Sequence, residues 1–224
     1  MKKNYTLNRF IKRLEAVVYV LLPLMVGGGL VTSCSDETEE SGEFDNWQQR
    51  NETYFMSLAD SLSANPAQWE RLLNYSLSAE TAHDVTDYVY VKKIEQGQGG
   101  DSPMFTDSIR VSYQGRLIPS ATYPEGFVFD ATVYRTYDSA TNATAKMAMV
   151  ASGSELLISG WITALLHMHR GDHWRLYIPH QLGYGSQDKT SSGIPPYSTL
   201  IFDLTLVDFS PVGQTMPAWS ARKR

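Results

Sequence analysis

Three histidines crowd the stretch "HMHRGDH", where His167, His169 and His173 fall within seven residues, a density of imidazole that could hold zinc. Residues two apart point to different faces of a helix, and Gly171 with Asp172 ends the helix before His173. The three therefore read as solvent-facing residues at a helix end, and no metal is expected. Cys34 is the only cysteine, which removes disulfides, thiolate metal sites and a cysteine nucleophile from everything after it. No G-x-S-x-G elbow, phosphate loop, H-E-x-x-H pair or dinucleotide fingerprint occurs, and "GQGG" at Gly97 to Gly100 reads as a hairpin turn. What remains is a density of aromatic and aliphatic residues at the ends of strands and loops. "SSGIPPYSTLIFDLTLVDF" shows it best. Pro195 and Pro196 fix their own φ and push Ile194 toward extended geometry, so the isoleucine is held rigidly just ahead of a strand.

The elements that must position these residues are mostly strands. "DYVYVKKIE", "DSIRVSYQGRL", "KMAMV", "HWRLYIP" and "TLIFDLTLVDF" alternate or carry β-branched and aromatic residues, separated by Gly, Pro, Asn and Asp clusters. In the last, Leu200, Phe202, Leu204 and Leu206 share one face, and Ile201, Asp203, Thr205 and Val207 the other. One helix interrupts them: "GWITALLHMHRG" puts Trp161, Leu165 and Met168 on one side, with Gly171 as a stop. Several strands and a single short helix predict an α+β domain, a curved antiparallel sheet wrapped on one helix.

Ahead of it, Phe44, Trp47, Phe55, Leu58 and Leu62 recur at helical intervals, with Asp45 and Gln48 placed as a capping box. This predicts a helix of about five turns ending near Asn65-Pro66. "AQWERLLNYSL" reads as a second short amphipathic piece of a helical arm over 44–83. The aromatic stripe could pair two copies of the chain, but stripes at this spacing usually pack within their own chain. Residues 210–224 show no period and read as a loose tail.

The chain has 224 residues and a net charge of −5; its first 33 residues carry five basic side chains against one acid, which leaves −9 on the remainder. A body so acidic argues against nucleic acid as a partner. Those 33 residues read as a signal peptide, with a basic start, the apolar run "AVVYVLLPLMV" and small residues ending in "LVTSC". The run is short for a spanning helix. "VTSC" resembles the lipobox of bacterial lipoproteins, which implies that Cys34 becomes an acylated N-terminus. The following "SDETEESGE" cannot bury surface and reads as an acidic tether over 34–43.

Five further pieces, "VSYQGRL", "FVFD", "LLISGW", "LGYG" and "GIPPYSTLIFDLTL", come in the order and approximate spacing of one family. Over 84–209 the chain resembles the FKBP family of peptidyl-prolyl isomerases. The resemblance implies a pocket lined by Tyr113, Phe129, Asp130, Leu157, Ile158, Trp161, Tyr184, Ile194 and Phe202, with Trp161 as its floor. It also implies that the Ile158 amide and the Tyr184 hydroxyl hold substrate carbonyls while the Asp130 carboxylate forms a wall. Three departures stand out, the first being Leu156, just ahead of Leu157, where many members have a polar residue. "KMAMVASG" offers only Ala148, between Met147 and Met149, where an aromatic is usual, and the loop "IPSATYPEGFVFD" is longer than the short turn common in the family.

The chemistry implied is rotation about an X–Pro bond, whose barrier of ~18–20 kcal/mol is the loss of amide resonance. A twisted amide has less charge separation than a planar one, so a dry aromatic pocket favours it over the ground state. Neither metal, cofactor nor nucleophile is needed. The resulting expectation is a prolyl isomerase acting on proline-containing polypeptides. It would be held by a lipid anchor at Cys34 to the outer membrane of a Gram-negative envelope, facing the periplasm or the cell surface. A proline-peptide-binding chaperone, or a surface lipoprotein with little isomerase activity, is the alternative.

Overall fold

The strand-forming runs all find partners in one antiparallel sheet. The structure, a computed structural model, describes residues 42–218 apart from 83, 133, 135, 139–142 and 151–156. The signal peptide, Cys34 and most of the acidic tether lie outside the described residues. The elements run α1 (Trp47–Ala64), β1 (Trp69–Leu73), β2 (Tyr88–Glu95), β3 (Ser108–Arg116), β4 (Val128–Ala131), β5 (Ala145–Ala148), α2 (Ser159–Leu165), β6 (His173–Ile178) and β7 (Leu200–Ser210). Across the sheet the order is β1-β2-β6-β7-β3-β4, with β5 pairing the first half of β3 beyond β4. None of these helices is long and apolar enough to cross a membrane.

β7 lies at the centre and is buried on both faces, because each face has its own cover. Side chains alternate along a strand, so the register fixes which residues meet which helix. Phe202 lies opposite Leu176 of β6, and this face carries α2, whose Trp161 ring meets the Phe202 ring at 5.1 Å. Six of the seven α2 residues are buried. Ile201 lies opposite Tyr177, and Tyr177 opposite Tyr90. That opposite face carries α1, with Phe55 edge-on to Tyr90 at 5.2 Å. Phe55 and Leu58 of α1 belong to the same core as the sheet. Trp47, Phe55 and Leu58 of the stripe considered for pairing two copies are thus buried within the chain itself, while Phe44 stays exposed.

Several expectations are corrected. "AQWERLLNYSL" is not helical: its residues 69–73 form β1, an edge strand on β2. Trp69 stacks on Tyr177 at 5.3 Å with a 23° tilt, and this tertiary contact outweighs a weak helical period. The 44–83 segment is therefore part helix and part sheet. Asp45 does not cap α1. Asn46 holds the N-cap position in the left-handed region without a side-chain bond, and the Asp45 carboxylate instead accepts from the Gly42 amide at 2.7 Å. "GQGG" is no hairpin turn, since β2 and β3 lie on opposite sides of the β6-β7 pair. His173 does not face solvent. It opens β6, is buried, and packs its ring 4.7 Å from that of Tyr137. The described part of the tail is anchored rather than loose: Met216 is buried and Arg110 donates to the Pro217 carbonyl at 2.6 Å.

Candidate active site

Four aromatic rings converge where β3, β4 and β7 meet the start of α2. Trp161 is the centre: the Tyr113 ring stands edge-on to it at 5.0 Å and an 84° angle, and Phe202 at 5.1 Å and 83°. Phe129 continues the cluster, edge-on to Phe202 at 5.5 Å. Edge-to-face contacts set positive ring edges against negative ring faces, so the four hold one another in fixed orientations. Gly115 makes the arrangement possible. A Cβ there would lie 2.5 Å from Phe202 Cε1 and 2.7 Å from Phe129 Cε2, so the two rings close over bare backbone.

The polar groups sit at the rim. The Tyr113 hydroxyl donates to the Asp130 carboxylate at 2.9 Å. Burial pushes the Tyr113 phenol well above its ordinary pKa, and the hydrogen bond and negative charge of Asp130 push it further. Burial raises Tyr184 as well, with Asp130 again adding to the shift. Both phenols stay protonated donors at neutral pH. Phe129, Asp130, Tyr184 and Ile194 line one cavity of about 380 Å³, together with Lys189 and Ser192. The indole Nε1–H of Trp161 is buried and has no partner among the described residues.

Ile194 is held as the two prolines require. It is buried, and Pro195 next to it accepts, through its carbonyl, the Ser198 hydroxyl at 2.6 Å. Tyr197 is forced into the left-handed region (φ 61°), which costs a non-glycine residue on the order of 1 kcal/mol. Its amide donates to the Gly185 carbonyl at 2.9 Å, which fastens the two ends of the loop to each other.

Residues 99–207 match the family model for FKBP-type peptidyl-prolyl cis-trans isomerases. Those residues are similar to an FKBP-type domain. The chain is 32% identical over 145 residues to the FKBP-type 22 kDa peptidyl-prolyl cis-trans isomerase of Escherichia coli, covering 65% of this chain and 61% of that protein. It is 36% identical over 115 residues to the peptidyl-prolyl cis-trans isomerase Mip of Coxiella burnetii, covering 51% and 42%. The crystal structure of FkpA from Escherichia coli superposes with a TM-score of 0.50 at 25% identity, covering 75% of this chain and 63% of that one. The chain thus spans roughly two fifths to three fifths of the curated relatives' own lengths.

Within the matched region, the residues singled out by resemblance come together in two groups. Tyr113, Phe129, Trp161 and Phe202 form the ring cluster, and Asp130, Tyr184 and Ile194 share the neighbouring cavity with Phe129. Leu157 and Ile158 are half-buried against the same core. The Ile158 carbonyl starts α2 by accepting from the Trp161 amide at 2.9 Å and from that of Ile162 at 3.3 Å. Ala148 is exposed on β5, so the position where an aromatic is usual presents only a methyl group.

Lys189 and Ser192 give no signal in the sequence because they lie in the loop between "LGYG" and "GIPP", which has no regular period. A polar network under the sheet is equally silent. Asp203 on β7 is buried and accepts from Arg175 Nε at 2.8 Å and Nη2 at 3.1 Å. Arg116 and His173 approach it at 3.8 Å. Burial alone would raise the Asp203 pKa, but the nearby His173 ring, the hydrogen bonds from Arg175 and the charges of Arg175 and Arg116 outweigh it and hold the carboxyl below its usual range. The only hint in the sequence is an acid set inside the apolar run "LIFDL".

Proposed function

We propose that the protein is a peptidyl-prolyl cis-trans isomerase acting on X–Pro bonds of exported polypeptides. The observation that carries this reading is the edge-on packing of Tyr113 and Phe202 against Trp161, beside a hollow rimmed by Asp130, Tyr184 and Ile194. In this reading the prolyl ring enters over Trp161. The aromatic walls strip water from the X–Pro amide, which weakens the planar, charge-separated form relative to the twisted one. The Tyr184 hydroxyl and the Ile158 amide hold the flanking carbonyls so that rotation occurs about one bond only. Asp130 fixes Tyr113 and presents a negative edge to the rotating carbonyl. Each ~1.4 kcal/mol of differential stabilisation raises the rate tenfold.

The setting we propose is the Gram-negative envelope. Removal of the signal peptide of residues 1–33 would leave a lipidated Cys34 as the N-terminus, and its lipid would hold the domain to the outer membrane on the acidic tether. This rests on the sequence pattern around "VTSC" and on the bacterial relatives. Labelling of the full-length chain with a fatty-acid analogue, lost in Cys34→Ser, tests the anchor. A protease-coupled assay on proline tetrapeptides with the body after Cys34 tests the activity. Substantial loss of kcat/KM in both Tyr184→Phe and Asp130→Ala is expected, and wild-type rates in both would remove the mechanism.

A further inference from the structure

The loop residues 192–195 have a hollow on each side. Ser192 and Ile194 line the aromatic cavity, while Gly193 and Pro195 line a second groove of about 430 Å³. Its other walls come from the long loop after β3 (Thr122, Tyr123, Phe127) and from the segment ahead of α1 (Glu43, Phe44). Gly193 lies in the left-handed region (φ 73°), and a Cβ there would lie 2.5 Å from Phe127 Cε1, so the Phe127 ring closes against bare backbone.

The groove is built, and it is apolar. Tyr123 stands edge-on to Phe127 at 5.2 Å and Phe44 to Trp47 at 5.1 Å. Hydrogen bonding fixes both walls: the Thr122 hydroxyl donates to the Glu43 carboxylate, and Arg50 donates to the Glu43 carbonyl at 2.8 Å. Two large rings are nevertheless left in water, Phe44 at 46% and Tyr123 at 42% exposure. Rings so exposed and so firmly held present apolar area that costs little conformational entropy to cover.

We infer that this groove takes an apolar side chain, leucine or an aromatic, of the same client polypeptide whose X–Pro bond occupies the aromatic cavity. The inference rests on the isomerase reading above. Continuity selects this occupant, since one loop of four residues is the common wall of both hollows. An extended chain advances about 3.3 Å per residue, so a residue roughly two to four positions from the proline reaches across that loop. The long loop after β3 thereby lengthens the site from one dipeptide to a short segment, and it selects unfolded chains bearing apolar residues near proline.

The test uses peptides with one Ala-Leu-Pro-Phe core, flanked two to four residues away on either side by leucine or by serine. Isomerisation is measured by NMR exchange on the body after Cys34. Leucine flanks are expected to lower KM about tenfold relative to serine flanks, equivalent to about 1.4 kcal/mol. Phe44→Ser and Tyr123→Ser, made separately because Phe44 also supports Trp47, should each shrink that difference while leaving kcat/KM on the bare tetrapeptide unchanged. Equal KM for the two flanks, or a difference that both variants retain, overturns the inference. A concentration-dependent dimer abolished by the same substitutions would put a second copy in the groove and overturn it as well. Absence of activity on the tetrapeptide itself would instead strike the isomerase reading.

Discussion

Gly115→Ala puts a methyl group where two rings of the site already sit. Its Cβ would lie 2.5 Å from Phe202 Cε1 and 2.7 Å from Phe129 Cε2, against the ~3.5–4.0 Å of an unstrained carbon contact. One or both rings must retreat by about 1 Å. Neither is free to do so, since Phe202 is braced edge-on by Trp161 and Phe129 by Phe202. Overpacking of this kind costs about 1–3 kcal/mol, only partly offset by the roughly 0.5–1 kcal/mol that alanine gains over glycine in a strand. A fall in Tm on the order of 5 °C is expected for a body of this size. Catalysis should suffer more than stability, because a misplacement of about 1 Å in positioned groups can cost on the order of a hundredfold. A drop in kcat/KM of roughly tenfold to a hundredfold is expected in the protease-coupled assay, alongside calorimetry of the same variant. Wild-type activity together with an unchanged melt would show that the rings neither meet over Gly115 nor set the site's geometry.

Tyr113→Phe removes the hydroxyl that holds Asp130 at 2.9 Å. A several-fold loss of kcat/KM with a Tm shift within about 2 °C is expected, read by the same two measurements, because the pair sits at the exposed rim. Asn51 is buried and bridges two elements, accepting from the Thr199 amide at 2.7 Å and donating to the Trp47 carbonyl at 2.8 Å. Asn51→Ala strands the amide and should cost about 1–3 kcal/mol in urea unfolding. Asp203 has its folded pKa lowered, so its contribution is complete above the ordinary carboxylate value of ~3.9 and is lost as pH falls through the folded value. Asp203→Asn should therefore weaken the fold at neutral pH and flatten the acid limb of its stability profile. An acid limb as steep as the wild type's would place the lost protons elsewhere.

The sheet was legible wherever hydrophobic alternation was strong. "DYVYVKKIE", "DSIRVSYQGRL", "HWRLYIP" and "TLIFDLTLVDF" are strands within a residue or two of their expected ends, because their side chains fill a core on alternate faces. β1 was not legible, since an edge strand takes its stability from one neighbour and from the stacking of Trp69 on Tyr177, which no local pattern announces. The alternation in β7 marks two faces without saying that both are covered, and the cover on the second face is α1, distant in sequence. The rings of the site were found by resemblance alone. Taken singly, Trp161, Phe129 and Phe202 are indistinguishable from core residues, and what marks them as a site is that they stop short of filling the space beside Ile194. The second groove was hidden for a similar reason: Phe44 and Tyr123 lie far apart in the chain, and nothing near either one names the other.

The bond from Trp47 Nε1 to Ser198 Oγ, 2.9 Å long, continues to the Pro195 carbonyl through the serine hydroxyl. The first helix therefore grips the far end of the proline loop directly, with no strand of the sheet between them. The same helix packs Phe55 on Tyr90 of the sheet, so the loop that carries Ile194 and the far face of the sheet are braced by one element.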